Sequence, residues 1–122
     1  MSTDVKTPEQ SMATMLHLLD QAADQTTHQA AQCGEQGQWA LAVRWDEIGG
    51  RIVQIISDTV EPLHSPLPPS EPPGQDSTSV ADLLTQAEAC TRAFAPGEVP
   101  GMTSRMIVEM LDLAREVRSL GS

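Results

Sequence analysis

The chain has 122 residues and a formal net charge of −10, and no cluster of Lys or Arg interrupts its acidic character. The chain therefore has no basic patch that could bind the phosphate backbone of a nucleic acid, and an anionic membrane surface would repel it. Aromatic residues make up only 2% of the sequence, so its core must be built from aliphatic side chains. Aliphatic cores suit packed helices better than β-sandwiches. We expect one all-α domain over residues 1–122, with no direct binding of nucleic acid and no membrane association.

The first predicted helix spans residues 8–33. Thr7, Pro8 and Gln10 have the spacing of the N-cap, first-turn and N3 residues of a capping box. Apolar side chains then recur at three- and four-residue steps, which predicts one core-facing side. These residues are Met12, Met15, Leu16, Leu19, Ala22, Ala23, Ala30 and Cys33. Gly34 and Gly37 indicate the end of this helix.

The second predicted helix spans residues 37–60 and follows so closely that we expect an antiparallel hairpin. Its apolar stripe consists of Leu41, Trp45, Ile48, Ile52, Ile55 and Ile56, and Pro62 indicates its end. The Gly49–Gly50 pair in its middle costs about 2 kcal/mol in helix propensity relative to two alanines. Either another helix approaches closely there or the helix is kinked, and we favour the close approach.

Residues 61–78 contain six of the nine prolines and predict an extended spacer. The alternative is that Pro66 and Pro69 form a PxxP ligand for an SH3-type groove. A third helix is predicted over residues 79–94, with Ser79 and Asp82 spaced as a capping pair, and a fourth over 103–120. The predicted fold is two antiparallel helical hairpins joined by a Pro-rich spacer, forming a four-helix bundle.

The predicted third and fourth helices are both shorter than the first. The core-facing side of the fourth is expected to carry Met106, Ile107, Met110, Leu111, Leu113, Ala114 and Val117. Because the first hairpin is the longer one, a bundle within one chain would leave apolar surface uncovered at one end. This mismatch favours a dimer or a partner protein.

Four candidate metal ligands follow one another along one ridge of the first helix: His17, Asp20, Asp24 and His28. The ridge is about 16 Å long at 1.5 Å per residue. One ion needs all its ligands about 2 Å away, so only adjacent members could share it, with further ligands from another helix. The alternative, which we favour, is a solvent-exposed face without a metal or cofactor.

Residues 45–50, Trp-Asp-Glu-Ile-Gly-Gly, resemble the Glu-Glu-Leu-Gly-Asp element of MazG-type nucleotide pyrophosphohydrolases. The resemblance implies a helical bundle that binds magnesium through acids on two helices, with Asp46 and Glu47 as ligands here. Gly50 stands where the family has an acid, and Asp20-x-x-x-Asp24 stands where it has Glu-x-x-Glu. A metal-dependent enzyme or metal-binding protein is therefore our second hypothesis.

Trp39 and Val43 are the first candidates for a contact with a partner. At 100° per residue, Trp39 points away from the apolar side of the second helix, and Val43 lies one turn further on. Exposed Trp is typical of interface anchors, although Trp39 could also simply pack over the turn between the first two helices. Met102, Met106 and Met110 form a second candidate surface, or alternatively fill the core.

The leading hypothesis is a small acidic interaction module, such as an adaptor, accessory or inhibitory protein, rather than an enzyme. Its expected partner is another protein with a basic surface, and a homodimer is a further option. A self-assembling structural protein is the third hypothesis. Cys33 and Cys90 are too far apart in sequence for a redox or metal pair. With no signal segment visible, we expect a cytoplasmic protein with reduced thiols.

Overall fold

A computed structural model describes residues 8–61, 79–93 and 104–120. These residues form α-helices and one short 3-10 turn, with no strand among them. The elements are α1 (Pro8–Glu35), α2 (Trp39–Val60), α3 (Val80–Cys90), the 3-10 turn Thr91–Ala93, and α4 (Ser104–Ser119). For these residues, the prediction of an all-α fold with four helices is confirmed. Within these three ranges, no helix is long and apolar enough to cross a membrane.

Gly37, rather than Gly34, terminates α1. Gly37 has a φ of 77°, a left-handed conformation that glycine adopts without a side-chain clash. The Gln38 amide donates to the Cys33 carbonyl at 2.8 Å, and the Gly37 amide donates to the Gly34 carbonyl at 3.1 Å. These two bonds form a Schellman motif. The predicted end at residue 33 was too early, because Gly34 remains helical.

Ser79 caps α3 as its spacing to Asp82 predicts. The Ser79 backbone is extended, and its Oγ accepts the Asp82 amide at 3.2 Å. One otherwise unpaired amide of the first turn is thereby satisfied. The capping box at Thr7, the Pro-rich segment with its PxxP motif, and Phe94 lie outside the described residues.

The four helices pack around one aliphatic core. α1 contacts α2 and α3, α3 contacts α4, and α4 contacts α2 less extensively, which is consistent with a helical bundle. The largest wholly buried apolar side chains are Met12, Met15, Leu19, Ile48, Ile52, Ile55, Val80, Leu84, Met110, Leu113 and Val117. Each contributes roughly 1.5–3 kcal/mol relative to an exposed position.

The buried stripe of α4 is narrower than the sequence pattern predicts. Met110, Leu113 and Val117 are completely buried, but Leu111 is 42% exposed and Ile107 only partly buried. The prediction that Leu111 faces inward was wrong. α4 packs mainly against α3, and its contact with α2 is limited, so side chains to one side of the stripe remain in solvent.

Candidate functional site

One face of α2 carries exposed apolar side chains in both halves of the helix, with Asp46 and Gly50 between the two groups. Trp39 is 69% exposed, Val43 56%, Val53 54% and Val60 45%. At 3.6 residues per turn these positions lie within about 100° of one another, on the side opposite the buried Ile48. We call these four residues the α2 stripe.

Sequence reasoning identified only the first half of the α2 stripe. Trp39 and Val43 are exposed, as their helical positions predict, but Val53 and Val60 were missed. The signal that could have found them is a seven-residue repeat from Trp39 through Asp46 to Val53 and Val60. Such a repeat keeps side chains on one helix face and is typical of helix–helix contacts.

Trp39 also contacts the end of α1. A Cβ placed on Gly34 would lie 3.2 Å from Cζ3 of Trp39, so the ring covers the last turn of that helix. The ring therefore packs over the α1–α2 turn, as one interpretation of the sequence predicted. Its remaining surface is exposed, as a contact with a partner would require.

A groove of about 290 Å³ runs beside the α2 stripe, between α1 and α2. Its lining consists of Asp20, Ala23, Asp24, Thr26 and Thr27 from α1, and Asp46, Gly49, Gly50 and Val53 from α2. We call it the α1–α2 groove. Because Val53 belongs to both features, the stripe and the groove form one continuous surface.

The two glycines of α2 have different surroundings. A Cβ on Gly49 would lie only 2.5 Å from Oγ1 of the buried Thr26, so α1 and α2 are in close contact there. A Cβ on Gly50 would meet nothing within 4 Å. The predicted close approach of a helix thus accounts for Gly49, while Gly50 widens the groove. α2 continues through both residues as one helix.

The α1–α2 groove presents hydrogen-bond acceptors. Asp20, Asp24 and Asp46 are exposed at its lining, which contains no Lys, Arg or His. The Thr26 hydroxyl donates to the Ala23 carbonyl at 2.7 Å, and the Thr27 hydroxyl donates to the same carbonyl at 3.2 Å. Since both hydroxyl hydrogens are engaged, these threonines offer the groove only oxygen lone pairs.

The structure brings together three of the acids proposed as metal ligands. Asp20, Asp24 and Asp46 line one groove, whereas the exposed Glu47 does not. Within the described part of the chain, no group of three or more His, Cys, Asp or Glu residues is arranged to hold a metal ion.

The two histidines of the predicted ridge lie outside the α1–α2 groove. His28 is exposed, and its Nε2 lies 3.2 Å from Nε2 of Gln32. The Nε2 of His17 is shielded from solvent and has no hydrogen-bond partner among the described residues. The Oε1 of Gln21, one turn further along, is in the same situation. The ridge therefore does not act as one set of ligands.

The methionines of α4 face the interior of the protein. Met110 is completely buried, and Met106 is partly buried, with its sulfur 3.5 Å from the hydroxyl oxygen of Thr59, which donates its hydrogen to the Ile55 carbonyl at 2.8 Å. Met102 lies outside the described residues. Met110 therefore fills the core, which was the alternative to a binding surface. A surface site there would require opening the bundle.

A second hollow, of about 330 Å³, lies beside the α1–α2 turn. It is lined by Gln29, Gln32, Cys33, Gln36, Gln38, Leu41, Trp45 and Leu120. Leu120 follows α4 directly, so the end of that helix reaches this hollow, and four of the eight lining residues are glutamines. The expectation of uncovered apolar surface at one end of the bundle stays a prediction.

A comparison with known proteins finds no match: no family model fits the chain, and no curated protein or solved structure is similar to it. The resemblance to MazG-type enzymes therefore has no support beyond residues 45–50.

Proposed function

We propose that the chain is a helical protein–protein interaction module that binds another protein through the α2 stripe. The observation that carries this proposal is the exposure of four large apolar side chains along one helix face. Exposed apolar surface rimmed by polar residues is typical of interaction sites. Trp39, the most exposed of the four, is of the residue type that most often dominates binding energy.

The α2 stripe has the dimensions of a helix-docking site. From Trp39 to Val60 it extends about 32 Å at 1.5 Å per residue. A standard interface covers about 800 Å² on each partner, and a single Trp side chain can supply about 150–250 Å² of that area. A helix lying along the stripe and over the α1–α2 groove would contact Trp39 at one end and Val60 at the other.

The proposal includes the finer architecture expected from the sequence. In it, α1 with α2 and α3 with α4 form two antiparallel hairpins of one cytoplasmic domain, joined by residues 61–78. Two contacts support the first hairpin, because Thr26 lies against Gly49 while Gly34 lies under Trp39. Later residues of α1 are thus beside earlier residues of α2.

A matched pair of valines tests the proposed contact. Val43 on α2 is 56% exposed and Val108 on α4 is 55% exposed, so their replacement by Ala removes similar surface from two different helices. The tagged chain is recovered from its native cells and its companions are quantified by mass spectrometry. We expect Val43→Ala to reduce the recovered partner and Trp39→Ala to abolish recovery, with Val108→Ala unchanged.

The expected loss for Trp39→Ala is at least about 30-fold in affinity, which corresponds to 2 kcal/mol for an interface anchor. Circular dichroism of each variant verifies that helix content is kept. If Trp39→Ala and Val108→Ala recover the partner equally, the α2 stripe is not the contact.

A metal-dependent role has one observation in its favour, the placement of Asp20, Asp24 and Asp46 in one groove. Magnesium is commonly held by one or two carboxylates together with substrate phosphates. This alternative predicts that magnesium raises the melting temperature and that EDTA reverses the rise. An interaction module without a metal predicts the same melting curve in both solutions.

A further inference from the structure

We infer that the partner segment is a basic amphipathic helix, which inserts an Arg or Lys side chain into the α1–α2 groove while its apolar face covers the α2 stripe. The inference rests on the proposed function and adds the chemistry of the partner to it.

The groove is complementary to a cationic side chain in charge and in hydrogen bonding. The groove lining holds the carboxylates of Asp20, Asp24 and Asp46 and contains no cationic side chain. The hydroxyl hydrogens of Thr26 and Thr27 are engaged by the Ala23 carbonyl. A guanidinium or ammonium group, which has donors and no acceptors, complements such a lining. Carboxylates also bind a guanidinium in a bidentate manner.

The size of the groove suits a single side chain better than a separate small molecule. Its volume of about 290 Å³ is just below the range of roughly 300–1,000 Å³ that is usual for small-molecule sites. One long side chain is small enough to enter a space of this size. Ala23, Gly50 and Val53 offer small or apolar surface for the methylene stem, and the lining also holds carboxylates that could pair with the head group.

The position of Gly50 also favours a second helix here. An interior helix glycine is less favourable than alanine, and at Gly50 no contact within the described chain requires it. Gly50 lies midway along α2, between Trp39 and Val60. The missing side chain lets a second helix come close at the centre of the stripe, with apolar contacts at both ends.

A second copy of the chain, paired through the same face of α2, does not provide the required cation. The matching face of α2 in another copy presents Asp46 rather than a base, so pairing would bring like charges together. Arg51 is directed to α4, where its guanidinium lies 3.6 Å from Glu109 and 3.6 Å from Glu116. The other base of α2, Arg44, lies about 140° around the helix from Trp39.

Two synthetic helical peptides, each about as long as the 22-residue α2, test the inference. Both carry the same heptad stripe of Leu, and they differ only at the central stripe position, which is Arg in one and Gln in the other. Affinity is measured by calorimetry and by the fluorescence change of the full chain. We expect the Arg peptide to bind at least tenfold more tightly than the Gln peptide.

Two triple variants of equal net charge separate a specific site from general attraction to an acidic protein. The groove variant is Asp20→Asn, Asp24→Asn and Asp46→Asn, and the control variant is Asp58→Asn, Asp82→Asn and Asp112→Asn, all exposed and outside the groove. We expect the groove variant to lose the tenfold preference for Arg. The control is expected to keep it.

The outcomes distinguish the inference from the proposed function. If both peptides bind equally well and Trp39→Ala abolishes this binding, the inferred cationic side chain is contradicted, while the proposed interaction module stands. If Trp39→Ala leaves peptide binding intact, the proposed function itself is contradicted. Absence of saturable binding by the Arg peptide overturns the inference. It is equally overturned by a dimer of the chain that Trp39→Ala dissociates, since a second copy then covers the stripe.

Discussion

Replacing each glycine of the Gly49–Gly50 pair by Ala is expected to change stability in opposite directions. Both substitutions gain about 1 kcal/mol in intrinsic helix propensity. At Gly50 nothing lies within 4 Å of the new Cβ, so the gain is kept and Gly50→Ala is more stable. At Gly49 the new Cβ would lie 2.5 Å from Oγ1 of Thr26, a distance that real Cβ atoms do not show.

Thr26 has little freedom to move away from an alanine at position 49. It is 1% exposed, its hydroxyl donates to the Ala23 carbonyl at 2.7 Å, and β-branching restricts its χ1. Overpacking of this kind costs about 1–3 kcal/mol, which exceeds the propensity gain. We expect Gly49→Ala to be about 1 kcal/mol less stable than the wild type, and about 2 kcal/mol less stable than Gly50→Ala.

Urea unfolding followed by circular dichroism measures this difference directly. A double-mutant cycle adds Thr26→Ala, which should destabilise the wild type but cost less in the Gly49→Ala background, because it removes the clashing atom. Equal stability of the two glycine variants would refute the close contact between α1 and α2. An additive cycle would show that Thr26 is not its cause.

Two ion-pair variants are expected to differ in their cost. Arg92→Ala leaves the carboxylate of Glu88, whose side chain is only 7% exposed, without its partner at 2.9 Å, and should destabilise the chain by about 1–3 kcal/mol in urea unfolding. A cost below 0.5 kcal/mol, on the order of an ordinary surface change, would contradict this account. Arg51→Ala removes partly exposed pairs with Glu109 and Glu116, so we expect a loss of about 0.5 kcal/mol that shrinks at high salt. A loss independent of salt would point to packing of the Arg51 stem instead.

The sequence by itself determined the helices and most of the core. Apolar residues at three- and four-residue steps specify a helix and its buried side, because backbone geometry fixes which side chains share a face. Ile48, Ile52 and Ile55 are therefore buried as predicted, and Ser79 caps α3 as predicted. Local hydrogen bonding within a few residues suffices for these features.

Only the tertiary structure decided what lies between the helices. The different environments of Gly49 and Gly50, the gathering of Asp20 and Asp24 with Asp46 in one groove, and the exposure of Leu111 all depend on neighbouring helices. Periodicity places a residue on a face of its own helix, but it does not say how near another helix approaches that face. That distance is set by side-chain packing between segments far apart in the chain.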